Sequence, residues 1–163
     1  MFELKPLAWA NKPAAYAELA GQLAALLHGE RDWVANAANT AALLWNSLPV
    51  LNWAGFYRLM DQQLVLGPFQ GKPACVRIAL GKGVCGTAAA EGRTVVVPEV
   101  HAFPGHIACD AASRSEIVVP LIRSGQVVGV LDLDSPLPGR FDAVDAAGLE
   151  NLVAVFLAGT DAG

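Results

Sequence analysis

The chain has 163 residues, of which 54% are hydrophobic and 16% charged, so we expect one compact domain and exclude an intrinsically disordered chain. A net charge of -4 without a basic stripe makes nucleic acid and anionic membrane surfaces poor partners. Neither a spanning segment nor a signal peptide is recognisable, and three unclustered cysteines do not suit a secreted disulfide scaffold, so we predict a cytoplasmic protein.

The first third of the chain predicts two amphipathic helices. Apolar residues recur at helical spacing over residues 16–27 and again over residues 34–48. A His-Gly-Glu break at residues 28–30 separates the two, Asp32 is placed to cap the second, and Pro49 follows its end.

The rest of the chain predicts short strands joined by tight turns. The expected elements are strands at 51–59, 64–69, 75–80, 94–97, 116–122 and 126–133, with helices at 84–91 and 143–157 and a long polar loop at 99–114. Strands that follow one another without βαβ alternation indicate an α+β domain, in which N- and C-terminal helices flank a central antiparallel sheet. We expect a single domain over 1–163, with a helical part at 1–49, the sheet and active-site loop at 50–135 and the last helix at 142–158.

Three carboxylates are expected on one face of the last hairpin. A three-residue loop at 123–125, with Gly125 left-handed, suits the turn better than a two-residue turn beginning with Ser. That loop sets Glu116 opposite Asp132, and Asp134 shares the face by strand alternation. A register change of one residue would move Glu116 to the opposite face.

Two interpretations of these carboxylates remain open. Three buried acids repel one another unless a cation or shared protons compensate, which would indicate a pocket for an ammonium group or a metal. The alternative is an exposed strand end beside the turn at residues 135–136, and the residues alone favour this alternative. Two interpretations also remain for the aromatic residues of the first strand, Trp53, Phe56 and Tyr57. They would line an apolar pocket or simply belong to the core.

The three cysteines are Cys75, Cys85 and Cys109, and each could be a small buried hydrophobe. Cys85 follows a Gly-Lys-Gly turn at a helix start, where the helix dipole and Lys82 would lower the pKa of its thiol. Cys109 lies in the polar loop between His106 and Arg114, a setting typical of an exposed reactive thiolate, so a thiol–disulfide cycle is possible.

A zinc site is weakly indicated. His28, His101 or His106 could join a cysteine as ligands, but the chain has no Cys-x-x-Cys pair.

Three long segments resemble a known family. They are Gly-Lys-Gly-Val-Cys-Gly-Thr-Ala at 81–88, Val-Pro-Glu-Val-His-Ala-Phe-Pro-Gly-His-Ile-Ala-Cys-Asp at 97–110 and Ser-Arg-Ser-Glu-Ile-Val-Val-Pro at 113–120. They look like the free methionine-(R)-sulfoxide reductases, single-domain enzymes of the GAF fold. The similarity runs from about Trp53 to the last helix and includes the spacing of the three cysteines.

The resemblance implies that free L-methionine-(R)-sulfoxide is reduced to methionine with thioredoxin as reductant. It implies that Cys109 is the nucleophile and that Cys75 or Cys85 resolves the oxidised form. Glu116, Asp132 and Asp134 would line the substrate pocket, with Trp53 beside the methyl group and Tyr57 nearby. Homodimers are expected, and no metal or organic cofactor is implied.

This chemistry is compatible with the residues themselves. A thiolate attacks sulfur while an acid protonates the oxygen, and a carboxyl kept protonated by its neighbours, Asp134 or Glu116, could supply that proton. The resulting sulfenic acid condenses with a second thiol to a disulfide. A non-catalytic GAF sensor that binds a small ligand and a thiol-based redox sensor are the alternative functions.

Overall fold

A computed structural model describes residues 2–107 and 110–162. In this part of the chain there are four α-helices: α1 (Lys12–Leu26), α2 (Trp33–Ser47), α3 (Gly83–Glu91) and α4 (Ala143–Gly159). The six strands are β1 (Trp53–Met60), β2 (Gln63–Gly71), β3 (Arg77–Ala79), β4 (Val95–Val97), β5 (Ser115–Arg123) and β6 (Gln126–Ser135). No helix in these two ranges combines the length and apolar character needed to cross a bilayer.

The strands form one sheet in the order β3-β2-β1-β6-β5-β4, with every neighbouring pair antiparallel. This confirms the predicted α+β class with a central antiparallel sheet. The chain-terminal helices flank the sheet as expected. In the last hairpin, β6 pairs with β1 near the centre of the sheet and β5 pairs with β4.

The two faces of the sheet bury different layers. One face packs against α1, α2 and α4 through side chains that include Phe56, Leu133 and Phe156. The other face packs against α3 through Trp53, Tyr57 and their neighbours. Because side chains alternate along a strand, Phe56 belongs to the helical core and not to the pocket suggested for it.

Most helix boundaries agree with the sequence. Asp32 caps α2 through its side chain, which accepts a hydrogen bond from the Ala35 amide at 2.8 Å, as predicted. Within α2 the buried stripe begins at Trp33, whereas Val34, which the pattern placed inside, is exposed. The predicted strand at 75–80 is shorter, and the polar loop at 99–114 contains a 3₁₀ helix at Val100–Ala102.

The turn of the last hairpin differs from the prediction. Arg123 pairs with Gln126, which leaves a two-residue turn of Ser124 and Gly125 with positive φ of 51° and 77°. These angles belong to the primed turns, whose twist matches that of the flanking strands, and this fit outweighs the poor preference of Ser for the position.

The predicted register is also wrong, since Glu116 lies opposite Asp134 instead of Asp132. The turn shifts the pairing by one residue and a bulge between Leu121 and Ile122 shifts it by one more. Two shifts of one residue restore the original face, so the three carboxylates still lie together.

Candidate active site

A cavity opens on the α3 face of the sheet, where the ends of β1, β5 and β6 meet the start of α3. Its empty volume is about 540 Å³, counting the part open to solvent. The residues from the sequence hypothesis that line it are Trp53, Tyr57, Cys85, Glu116, Asp132 and Asp134.

One wall of the cavity is aromatic. Trp53 is buried with its ring stacked on Phe69 at 5.2 Å and near Tyr57 at 6.0 Å between ring centroids. Its indole nitrogen donates a hydrogen bond to the Lys72 carbonyl at 3.1 Å. A Cβ at Gly55 would approach the indole to 2.7 Å, so this glycine leaves the space that the ring occupies.

The carboxylate cluster, Glu116, Asp132 and Asp134, forms the floor. Glu116 and Asp132 are each only 6% exposed, which contradicts the exposed strand end that the residues alone favoured. Burial raises the pKa of all three, to about 7 for Asp132, and the neighbouring carboxyls raise the pKa of Glu116 and Asp134 further. The cluster therefore holds protons near neutral pH that isolated carboxyls would have lost.

Cys85 joins the cluster from the first turn of α3. Its sulfur lies 3.9 Å from Glu116 Oε1 and its side chain is buried. The expected lowering of its pKa is wrong: burial raises the thiol pKa, and the charges of Asp132 and Glu116 raise it further. Desolvation and two nearby acids outweigh the helix dipole and the cation of Lys82.

The other two cysteines differ from Cys85 in their placement. Cys75 is half-buried, and its carbonyl accepts a hydrogen bond from the Tyr57 hydroxyl at 3.0 Å, although Cys75 is not among the residues that line the cavity. Cys109 lies outside the described residues. Arg114, which the sequence placed near it, forms an ion pair with Glu99 at 2.6 Å.

His106 lies at the edge of the carboxylate cluster. Its Nε2 is 3.8 Å from Glu116 Oε2, and burial lowers the pKa of the imidazole, followed by the charge of His101. The lowered pKa favours the neutral imidazole, and a neutral imidazole nitrogen can bind a metal.

The sequence did not reveal how the segment after residue 109 is attached. Asn52 donates hydrogen bonds from Nδ2 to Asp110 Oδ2 at 3.2 Å and to Ser113 Oγ at 3.0 Å. Lys72 adds an ion pair to Asp110 at 3.4 Å. Asp110, Ser113 and Lys72 all line the cavity. These partners are distant in sequence and follow no local pattern, so only the tertiary fold brings them together.

Cys85, Glu116 and Asp132 also satisfy the geometry of a cation site. One donor atom from each lies within 4.8 Å of the other two, and all three side chains are buried. This donor set joins a cysteine to two of the carboxylates for which the sequence allowed a metal pocket, and it does not include the histidines considered as zinc ligands.

The comparisons agree with the geometry. A family model described as "GAF domain" matches residues 35–156. A free methionine-R-sulfoxide reductase of Escherichia coli is 56% identical over 144 residues, covering 88% of this chain and 87% of the relative. A protein of the same name from Saccharomyces cerevisiae is 47% identical over 150 residues, 87% of this chain and 83% of that one.

A solved structure shows the same fold. The free methionine-R-sulfoxide reductase from Neisseria meningitidis, in complex with its substrate, superposes with a TM-score of 0.93 at 47% identity. The match covers 98% of this chain and 95% of that chain. The GAF-like architecture expected from the sequence is confirmed.

Proposed function

The chain belongs to the free methionine-(R)-sulfoxide reductases, a family of oxidoreductases built on the GAF domain, and from that membership we propose that it reduces free L-methionine-(R)-sulfoxide to L-methionine. The observation that carries the proposal is the buried carboxylate cluster facing an aromatic wall and a thiol in one cavity.

The cavity can recognise both ends of such a substrate. An ionised carboxylate of the cluster would hold the ammonium group, and the Trp53 ring would contact the methyl group. Glu116, Asp132 and Asp134 all line this cavity. A peptide-bound methionine sulfoxide has no ammonium group at that place, so the proposal explains selectivity for the free amino acid.

The first chemical step is attack by the Cys109 thiolate on the sulfoxide sulfur. A carboxyl of the cluster, Glu116 or Asp134, protonates the oxygen, because burial keeps these groups protonated at a pH where they can donate. The sulfur is reduced to a thioether, methionine leaves, and the cysteine retains the oxygen as a sulfenic acid. Ile107 and Asp110, on either side of residues 108–109, line the cavity, which supports this assignment.

The second step forms a disulfide and releases water. Cys85 or Cys75 attacks the sulfenic sulfur as the resolving thiol. Cys85 is the stronger candidate because it lines the cavity, with its sulfur 3.9 Å from Glu116. The dithiol of thioredoxin then reduces the disulfide and restores both thiols. We propose that the enzyme works as a cytoplasmic homodimer without a metal or organic cofactor.

The decisive assay couples NADPH oxidation through thioredoxin reductase and thioredoxin to three substrates. We expect turnover with the free (R)-sulfoxide, and none with the free (S)-sulfoxide or a peptide-bound sulfoxide. No turnover by freshly reduced protein would contradict the proposal and favour a ligand-binding sensor instead.

Single-turnover measurements separate the roles of the cysteines. Without thioredoxin, Cys109→Ser should form no methionine, because the attacking sulfur is gone. Cys85→Ser should form one equivalent and then stop, with a sulfenic acid detectable by mass spectrometry, while Cys75→Ser should keep cycling when thioredoxin is added. If Cys85→Ser loses the first equivalent and Cys109→Ser keeps it, the nucleophile is assigned wrongly.

A further inference from the structure

The donor set around Cys85 combines one sulfur with two carboxylates. We propose that Cys85, Glu116 and Asp132 form a binding site for a thiophilic divalent cation such as Zn²⁺. If the chain is the reductase proposed above, the bound cation inhibits it by occupying the floor of the substrate cavity.

The distances suit such an ion after small side-chain movements. Zn²⁺ binds sulfur at about 2.3 Å and carboxylate oxygen at about 2.0–2.2 Å, so tetrahedral ligands stand about 3.3–3.8 Å apart. The Cys85 sulfur lies 3.9 Å from Glu116 Oε1. One donor atom from each of the three residues lies within 4.8 Å of the others.

A second observation points to a ligand at the same place. The Oδ1 atom of Asp132 is buried, and the residue as a whole is 6% exposed. This atom has no hydrogen-bond partner among residues 2–107 and 110–162. Asp132 lines the cavity. A buried acceptor without a donor is costly, and a cation bound to this oxygen would remove the cost.

The chemistry of the donors selects the class of ion. Ca²⁺ and Mg²⁺ prefer sites made wholly of oxygen, with six or more ligands, whereas thiolate selects Zn²⁺ and related ions. Binding involves no oxidation: Zn²⁺ displaces the proton of the Cys85 thiol and any proton held by Glu116 and Asp132, and these protons are released to solvent.

The site leaves room for exchange with substrate. Three protein donors fill three positions of a tetrahedron, and the fourth faces the cavity, as in sites whose metal keeps an open position. His106, with Nε2 3.8 Å from Glu116 Oε2, offers a nitrogen that could fill it. An ammonium group would use the same oxygens, so the cation and the substrate should compete.

Cobalt titration tests the ligand set without any activity. Reduced full-length protein titrated with Co²⁺ should show a thiolate-to-cobalt charge-transfer band in the near ultraviolet, which Zn²⁺ abolishes. The band should persist in Cys75→Ser and Cys109→Ser and disappear in Cys85→Ser. A band that survives in Cys85→Ser, or no band in the wild type, overturns the inference.

Zinc affinity, measured by competition with a chromophoric chelator, tests the carboxylates. Asp132→Asn should weaken binding on the order of tenfold or more, since loss of an outer-shell partner alone has that effect. Asp161→Asn, a distant exposed acid, should leave the affinity unchanged. Equal affinities in both variants contradict the proposal.

Two further measurements support the affinity test. Circular dichroism checks that each variant is folded. In the wild type, Zn²⁺ should slow the alkylation of Cys85, which gives a readout that needs no variant.

The inhibition is measured in single turnovers, because thioredoxin itself has thiols that bind zinc. Zn²⁺ should reduce methionine formation competitively with the sulfoxide, and a chelator should restore it. If the cobalt band is present but Zn²⁺ does not compete with the sulfoxide, the claim that the bound cation inhibits the enzyme is wrong. If the protein shows the band but reduces no sulfoxide, the cation site stands and the proposed function fails, so the two failures are distinguishable.

Discussion

Buried carboxylates lie on both sides of the sheet, and their surroundings are opposite. On the helical side, Asp145 at the start of α4 is fully buried and accepts hydrogen bonds from Lys12 Nζ at 2.7 Å, Tyr16 at 2.8 Å and Arg140 at 3.3 Å. It also accepts one from the Asp142 amide at 2.9 Å. Two cations and two further donors therefore compensate a single negative charge.

On the α3 side, no lysine or arginine among the described residues forms an ion pair with any of the three acids of the carboxylate cluster. Besides the other two acids, Glu116 lies near a thiol at 3.9 Å and a histidine whose pKa is lowered. The contrast indicates different roles. A buried acid whose charge is balanced by cations and hydrogen-bond donors stabilises the fold, whereas buried acids that share protons are available to bind a ligand or to take part in a reaction.

The largest effect should come from the cluster. Glu116→Gln keeps the shape of the side chain but removes its acid, so we expect kcat/KM to fall about 10²–10⁴-fold if it donates the proton. The free energy of unfolding should stay the same or increase, because one of three repelling groups is gone. Denaturation and coupled turnover measure the two effects. A large loss of stability with normal activity per folded molecule would mean that Glu116 stabilises the fold and does not act in the reaction.

The opposite result is expected on the helical side. Asp145→Asn leaves Lys12 and Arg140 without their shared anion, and we expect unfolding to become easier by about 3 kcal/mol. Activity per folded molecule should be nearly unchanged. Asp161→Asn is the matched control, since its pair with Arg31 is exposed and should contribute at most about 1 kcal/mol. Urea denaturation of both variants checks the difference.

The pH dependence of stability should differ in sign between the two sides. The folded pKa of Asp132 is raised to about 7, so its stabilising contribution is complete below its ordinary value of 3.8 and is lost as the pH rises through about 7. Asp142, whose pKa Lys12 lowers to about 2, contributes above its ordinary value and loses the contribution as the pH falls through about 2.

Thermal melts of the wild type and Asp132→Asn between pH 4 and 8 test this prediction. The difference in melting temperature between the two proteins should change steadily between pH 4 and about 7 and level off at the alkaline end of the window. A constant difference would mean that the pKa of Asp132 is the same in the folded and unfolded states. The burial of this acid would then be balanced by partners, as it is for Asp145 on the helical side.

The smallest effect is expected at the mouth of the cavity. Lys72 pairs with Asp110 at 3.4 Å, but its side chain is 71% exposed, so Lys72→Met should change stability by at most about 1 kcal/mol. Higher salt should abolish the difference. A larger change measured by urea denaturation would mean that this pair, whose lysine is exposed, contributes to stability as much as the buried contacts of Asp145.

Local chemistry made much of the fold predictable. The Asp32 cap, the helical stripes and Gly92 ending α3 with φ of 61° follow from residues that are close in sequence. The register of the last hairpin was not predictable, because a turn with an unfavoured Ser and a bulge at Leu121/Ile122 depend on how the strands twist against β1 and β4. Their combined shift of two residues is why the acids still share a face.

The sequence by itself determined the α+β class, the family resemblance and the shared face of Asp132 and Asp134 on one strand. These follow from periodicity, motif spacing and alternation, which are local properties. Only the tertiary structure decided that Glu116 lies on the same face, that Glu116 and Asp132 are buried, and that the Cys85 pKa is raised instead of lowered. The reason is that desolvation depends on what covers a side chain, and α3, Trp53 and the loop beyond it come from distant parts of the chain.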